Sequence, residues 1–187
     1  TIKVISEKDK VKVNFENKNL SSKNFHFFDL DNLKSLDDYT KIRAETDSEA
    51  LKLRYSNKKI YQKNLPKNST AKSLYNLTEK IRYEKIGSNN LKGIKQNLLK
   101  NYEFRQKYKR KDQLNTKEDV SAKEAFELYL LKHFHNVKLT KLSKEILGFW
   151  EKMFDKKLNN KIDFFKQNIH NQEIFNSTFS KIIESMD

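Results

Sequence analysis

The spacing of apolar residues changes near residue 32. Before that point Val11, Val13 and Phe15 alternate with Lys12, Asn14 and Glu16, the period of two expected of a half-buried strand. Residues 17–24 (N-K-N-L-S-S-K-N) are turn formers, and F-H-F-F-D-L at 25–30 reads as a second strand. The pair predicts an antiparallel hairpin, with I-K-V-I at 2–5 as a candidate third strand.

Beyond residue 32 the period becomes helical. Ser35 is placed to cap a helix that carries Asp37 and Asp38 in its first turn, and the pattern runs on towards Tyr61. Pro66, the only proline, breaks it. Ser69 can cap the next helix, whose Ala71, Leu74, Tyr75, Thr78 and Ile81 share a face. Gly87 falls where a left-handed cap would end that helix, and Ser88 can open another, with Leu91, Ile94, Leu98 and Tyr102 along one side. Four stripes follow: Phe126, Tyr129, Leu130, His133 and Val137; Leu142, Ile146, Phe149, Trp150 and Met153; Ile162, Phe165 and Ile169; and Phe175, Phe179, Ile182 and Met186. They read as packed core, with Trp150 inside it. The expected fold is therefore α+β and mostly α. A hairpin portion over 1–32 packs on a helical body over 33–187, and the two form one module.

Composition adds 22 aromatic residues, enough for an aromatic-rich core, and a net charge of +14. Lysines outnumber arginines 34 to 5, and there are 20 asparagines. That balance reads as an AT-rich coding bias and a solvated surface; a selected phosphate site favours the planar fork of arginine. The densest basic run is R-Q-K-Y-K-R-K at 105–111. Its Arg105, Lys107, Lys109, Arg110 and Lys111 form a candidate surface for an anionic partner, and the nearby Tyr102, Phe104 and Tyr108 make a single-stranded nucleic acid the alternative ligand. No cysteine is present, which excludes disulfides, zinc–thiolate sites and cysteine nucleophiles. No run approaches the ~20 apolar residues of a membrane span, and no signal-peptide pattern opens the chain, so the chain reads as soluble and cytoplasmic. With a start at Thr1 instead of Met, the expectation is a part of a longer protein.

Catalytic and metal motifs are missing. His133 and His135 lie two apart and point in different directions from a regular helix; His133, on the apolar stripe, reads as a core histidine. His26 and His170 have no ligand pattern beside them. Asp37 and Asp38 read as helix N-terminal charges. There is no phosphate loop of the G-x-x-x-x-G-K-[ST] type and no D-x-S-x-S metal-adhesion motif. Gly93, in the second turn of its helix, costs about 1 kcal/mol against alanine. A neighbouring helix crossing over it is the favoured reason, and an anion at the helix N-terminus near Lys92 and Lys95 is the alternative.

The stretch R-x-E-x-I-G-x-x-x-L-x-G-I-x-x-N-L, carried by Arg82, Glu84, Ile86, Gly87, Leu91, Gly93, Ile94, Asn97 and Leu98 with Lys92 agreeing, resembles the N-terminal region of the T subunit of aerobic, ATP-dependent cobaltochelatase. V-K-V-N-F at 11–15, D-S-x-A-L at Asp47, Ser48, Ala50 and Leu51, L-x-x-W at Leu147 and Trp150, and the terminal I-I-E-S-M-D line up in the same order. The resemblance implies a role in cobalamin biosynthesis, where three subunits insert cobalt into hydrogenobyrinic acid a,c-diamide using ATP and Mg. This chain would hold no cofactor or metal of its own. Its expected role is non-catalytic assembly with the AAA+-type ATPase subunit and the large chelatase subunit, with self-association into a ring as a further expectation. The family's acidic linker and C-terminal integrin-I-like domain are not in this sequence, and a lysine-rich module could fold against such a linker or meet an acidic partner face.

Overall fold

A computed structural model describes residues 2–7, 13–14, 25–26, 35–107 and 117–186. Among them the chain forms α1 (Ile2–Ser6), α2 (Leu36–Tyr55), α3 (Lys58–Lys63), α4 (Ser69–Asn90), α5 (Lys92–Lys107), α6 (Ala122–Leu130), α7 (Lys141–Leu158), α8 (Ile162–Gln167) and α9 (Gln172–Glu184). A π turn over Leu131–His135 continues α6.

The fold is helical, which corrects the α+β expectation with its antiparallel hairpin over 1–32. Among the described residues strand pairing is limited to Val13–Asn14 and Phe25–His26, which run parallel with Val13 opposite Phe25. Two residues a side make no sheet face, and the remainder of the expected hairpin lies outside the described residues. The I-K-V-I segment is helix. A strand would place Ile2 and Val4 on one face, whereas Ile2 and Ile5 are buried together and Val4 is 79% exposed, the i, i+3 spacing of a helical turn. Arg54 of α2 holds this turn by donating to the Ile5 carbonyl at 3.2 Å.

Helix α4 is the axis of the body. It packs against α2, α5, α6 and α9 and buries residues around its whole circumference, including Tyr75, Ile81, Glu84 and Ser88, as a central helix must. Its N-cap is Asn68, one residue before the expected Ser69, and accepts from Thr70 N–H at 2.7 Å. Helix α2 starts as expected, with Ser35 Oγ accepting from Asp38 N–H at 3.1 Å, but stops at Tyr55. Asn57 then caps a separate α3. The second half of the core is aromatic. Phe165 stacks on Phe179 at 3.8 Å, Phe175 meets both, and Phe134 reaches Phe175 from the π turn. Phe126 and Tyr129 of α6 pack on Phe154 of α7. Trp150 is half-buried at the edge of this layer. Its indole N–H donates to the Val120 carbonyl at 3.2 Å, and Lys117 lies over its ring.

The two glycines exchange their expected roles. Gly87 ends no helix: α4 continues through it and through Ser88 to Asn90, and the break falls at Leu91, whose N–H still reaches Gly87 O at 2.9 Å. A Cβ on Gly87 would sit 2.3 and 2.4 Å from two Leu51 methyl carbons, so the close helix crossing is here, α2 over α4. Gly93 is exposed, with nothing within 4 Å of the position of a Cβ, which overturns the expected crossing at that residue. Because Leu51 is fully buried and cannot swing away, Gly87→Ala should destabilise the chain by about 1–3 kcal/mol, the usual cost of overpacking. Gly93→Ala should leave stability unchanged or raise it by up to about 1 kcal/mol, the difference in helix propensity. Denaturant melts of the two variants side by side check the pair; a loss at Gly93 with none at Gly87 would reverse the assignment.

Candidate functional site

The sequence motif around Arg82 separates in space into an inward part and an outward part. Arg82 and Glu84 lie on opposite sides of α4, and both are buried. Arg82 forms a two-point pair with Glu79, one turn earlier, at 2.8 Å from Nε and 2.9 Å from Nη2. Its remaining N–H groups reach the Ile169 carbonyl at 3.3 Å and the Tyr55 carbonyl at 2.5 Å. Glu79 Oε1 also accepts from Ser56 Oγ at 2.6 Å and from Gln172 Nε2 at 3.0 Å. Gln172 closes the cluster by accepting from Asn57 N–H at 2.7 Å. One ion pair thus satisfies the C-terminus of α2, the start of α3, the α8–α9 connection and the first turn of α9. An arginine suits this place because its planar fork makes several directed bonds from one charge.

On the other side of α4, Glu84 accepts from Ser48 Oγ at 2.6 Å and from the Tyr102 hydroxyl of α5. Asp47, next to Ser48 on α2, accepts from Asn97 Nδ2 of α5 at 2.7 Å and lies 3.7 Å from Arg43 Nε. Burial raises the Asp47 carboxyl, with Asn97 and Arg43 opposing that shift. Burial and the neighbouring Glu84 push the Tyr102 phenol well above its ordinary range. The D-S-x-A-L stretch and the glycine motif therefore meet each other: Asp47 with Asn97, Ser48 with Glu84, and Leu51 with Gly87. These contacts form a seam joining α2, α4 and α5. Its side chains are engaged with one another, although Asp47 Oδ1 is buried without a hydrogen-bond partner, and no carboxylate of the seam faces a second one across open space as an acid/base pair would.

Leu91, Lys92 and Gly93 form the outward part. All three are exposed where α4 gives way to α5, and Leu91 is one of the few large apolar side chains at the surface, 36% exposed. No internal contact accounts for the open face of Gly93.

Of the basic residues in the run at 105–111, Arg105 is the one whose side chain the structure describes. Arg105 pairs with Glu127 of α6 through both forks, at 2.8 and 3.0 Å. Lys107 ends α5, and Lys109, Arg110 and Lys111 lie outside the described residues. Of the histidines, His135 is the core residue, not His133. The π turn winds the backbone more slowly than an α-helix and closes on Asn136 in the left-handed region at φ 54°, so the apolar register moves on. His135 is buried with Nε2 lacking a hydrogen-bond partner, and burial together with Lys85, Lys80 and Lys95 lowers it to about 4, with the Ile81 backbone opposing that shift. His133 is half-buried beside Tyr129, their rings 4.4 Å apart. Among the described residues, no three His, Asp or Glu side chains are grouped to hold a metal ion, and no helix is long and apolar enough to cross a membrane.

Glu79 and Gln172 are central to the buried cluster, and neither is among the residues singled out from the sequence. Glu79 stands at helical spacing before Arg82, a pairing that could have been read. The partner of Gln172 lies 93 residues away and could not.

Removing one side of a buried ion pair strands the other, at a cost of about 3–5 kcal/mol. Arg82→Met should cost that much in denaturant melts, while Arg105→Met, at a half-exposed pair, should cost under about 1 kcal/mol; equal losses would show the cluster to be ordinary. His135 gives a pH dependence of definite sign. Its folded value, about 4, lies below the unfolded 6.5, so the unfolded chain takes up the proton first. Stability should fall as pH drops from about 6.5 to about 4, by about 3 kcal/mol from this group. His135→Phe should flatten that slope relative to the parent in melts between pH 7 and pH 4; an unchanged slope would place the titration elsewhere.

Comparison with known proteins comes down to one match. The family model described as cobalamin biosynthesis protein CobT matches residues 1–187, the whole chain. No similar curated protein and no similar solved structure was found. The chain belongs to the CobT family, which gives it a role in cobalamin biosynthesis and connects it with a multi-subunit cobaltochelatase.

Proposed function

We propose that this chain is a non-catalytic assembly module of the cobaltochelatase, helping an ATPase ring drive cobalt insertion into hydrogenobyrinic acid a,c-diamide. In this reading ATP, Mg and the cobalt substrate are handled by the companion subunits, the ATPase and the large chelatase subunit. The division of the motif carries the reading. Glu84, Gly87 and Asn97 build the seam, Arg82 builds the ion-pair cluster on the other side of α4, and the same stretch presents Leu91, Lys92 and Gly93 outward with no internal reason for a glycine there. An exposed leucine beside a bare backbone and a lysine suits close approach by a partner chain. The remaining surface supports encounter with an acidic partner face, since Lys95 and Lys100 of α5 and Lys141, Lys144, Lys152 and Lys156 of α7 are all exposed.

The test is capture of the companion subunits by the chain, in the parent and in a Leu91→Glu/Gly93→Val variant. The variant should melt no lower than the parent by more than about 1 kcal/mol, since both sites are exposed, and should capture the ATPase subunit at least tenfold less. Capture should also weaken with added salt. A variant that captures both subunits like the parent would remove the junction from the interface. ATP turnover by the pure chain beyond contaminant level would refute the non-catalytic role.

A further inference from the structure

A cavity of about 280 Å³ opens between the last turns of α4, the π turn and the end of α8. Its polar wall holds Lys85 and Asn89 from α4, His133 and Asn136 from the π turn, and Lys166 from α8; Phe134 and Ile169, both buried, form an apolar wall. Two cations, an imidazole and two amides converge there, and no carboxylate lines the cavity. Among the described residues Lys85 has no ion-pair partner. Desolvation, with Lys95 and Lys166 nearby, holds its amine below the ordinary lysine value. His133 Nε2 is buried without a hydrogen-bond partner. The surrounding carboxylates are engaged outside the cavity. Asp163 is 3.6 Å from Lys166 and almost fully exposed, Asp155 accepts from Tyr129, and Glu151 accepts from Lys132.

Lys85 brings positive charge without an ion-pair partner, Lys166 shares its charge with the exposed Asp163, and a partly desolvated recess of that kind favours an anion. Small-molecule pockets commonly run from about 300 Å³ upward, so this one suits a single functional group and its stem, and not a large ring system. The cavity is larger than a bare inorganic oxyanion needs, which leaves room for a short stem on the side of Phe134 and Ile169. We infer that the cavity binds a carboxylate carried on a short aliphatic stem, with the carboxylate between Lys85 and Lys166 and the stem against Phe134 and Ile169. Asn136 and His133 supply directed bonds at its rim. This inference does not depend on the proposed assembly role, and its test involves neither companion subunit.

The experiment follows backbone amide and histidine ring resonances of the whole chain by NMR at constant ionic strength. Butyrate is the probe, with butanol as its uncharged counterpart and inorganic phosphate as the bare oxyanion. Saturable shifts with butyrate, centred on Asn89, His133 and Asn136, are expected. Butanol should produce none, and phosphate should bind at least tenfold more weakly. Lys85→Gln/Lys166→Gln should weaken butyrate at least tenfold. Asn136→Gly, which keeps the left-handed backbone at no steric cost, should weaken it severalfold without disturbing the fold. A blocked Ala-Glu-Ala peptide binding more tightly than butyrate would make an acidic protein side chain the source of the carboxylate, and weaker binding would make it a small acid. Shifts that rise linearly without saturation, phosphate binding as tightly as butyrate, or undiminished binding by the double lysine variant would overturn the assignment.

Discussion

The buried pair of Arg82 and Glu79 is the constraint on which the arrangement of helices rests. An arginine taken out of water without full compensation costs several kcal/mol. Compensation here comes from four separate places in the chain: Glu79 on its own helix, the Tyr55 carbonyl, the Ile169 carbonyl, and through Glu79 also Ser56 and Gln172. Apart from Glu79, each of these groups comes from a helix end or a connection, where helical hydrogen bonding has run out. The pair therefore fixes where α2 stops, where α3 starts and how α9 enters the body. Apolar packing alone would leave those ends free to slide, since dispersion and burial are not directional.

On the opposite face of α4 a second set of contacts does the same for α2 and α5. Ser48, Glu84 and Tyr102 form one chain of bonds, Asp47 and Asn97 another, and Leu51 fills the space that Gly87 leaves open. A glycine inside a helix weakens it locally; the gain is a helix crossing close enough for those side-chain bonds to form. The most recognisable stretch of the chain is thus chiefly a structural lock. Its exposed remainder at Leu91–Lys92–Gly93 is the portion available for contact with another protein.

Much of the helical body was legible because apolar stripes at 3.6-residue spacing and caps such as Ser35 are local signals. The misreadings have local causes too. I-K-V-I contains both an alternating and an i, i+3 pattern, and only the burial of Ile2 with Ile5 decides between them. A glycine in a helical stretch is compatible with a C-cap, with a close crossing or with open solvent. Gly87 and Gly93 could not be told apart without Leu51, which comes from another helix. His133 and His135 exchanged places because a π turn changes the register without a proline or glycine to announce it. The inward role of Glu84 and Asn97 and the salt bridge of Arg105 depend on partners distant in sequence. The family motif could mark those residues, but it could not say which way they point.

Native-state hydrogen exchange on Arg82→Lys tests the central claim most directly, because lysine keeps the charge and loses the fork. If one ion pair holds the ends of several helices, protection should fall together at the end of α2, in α3 and in the first turn of α9. The middle of α7, which supplies none of the cluster's hydrogen bonds, should keep its protection. Loss confined to the α4 amides near residue 82, with α3 and α9 as protected as in the parent, would contradict it.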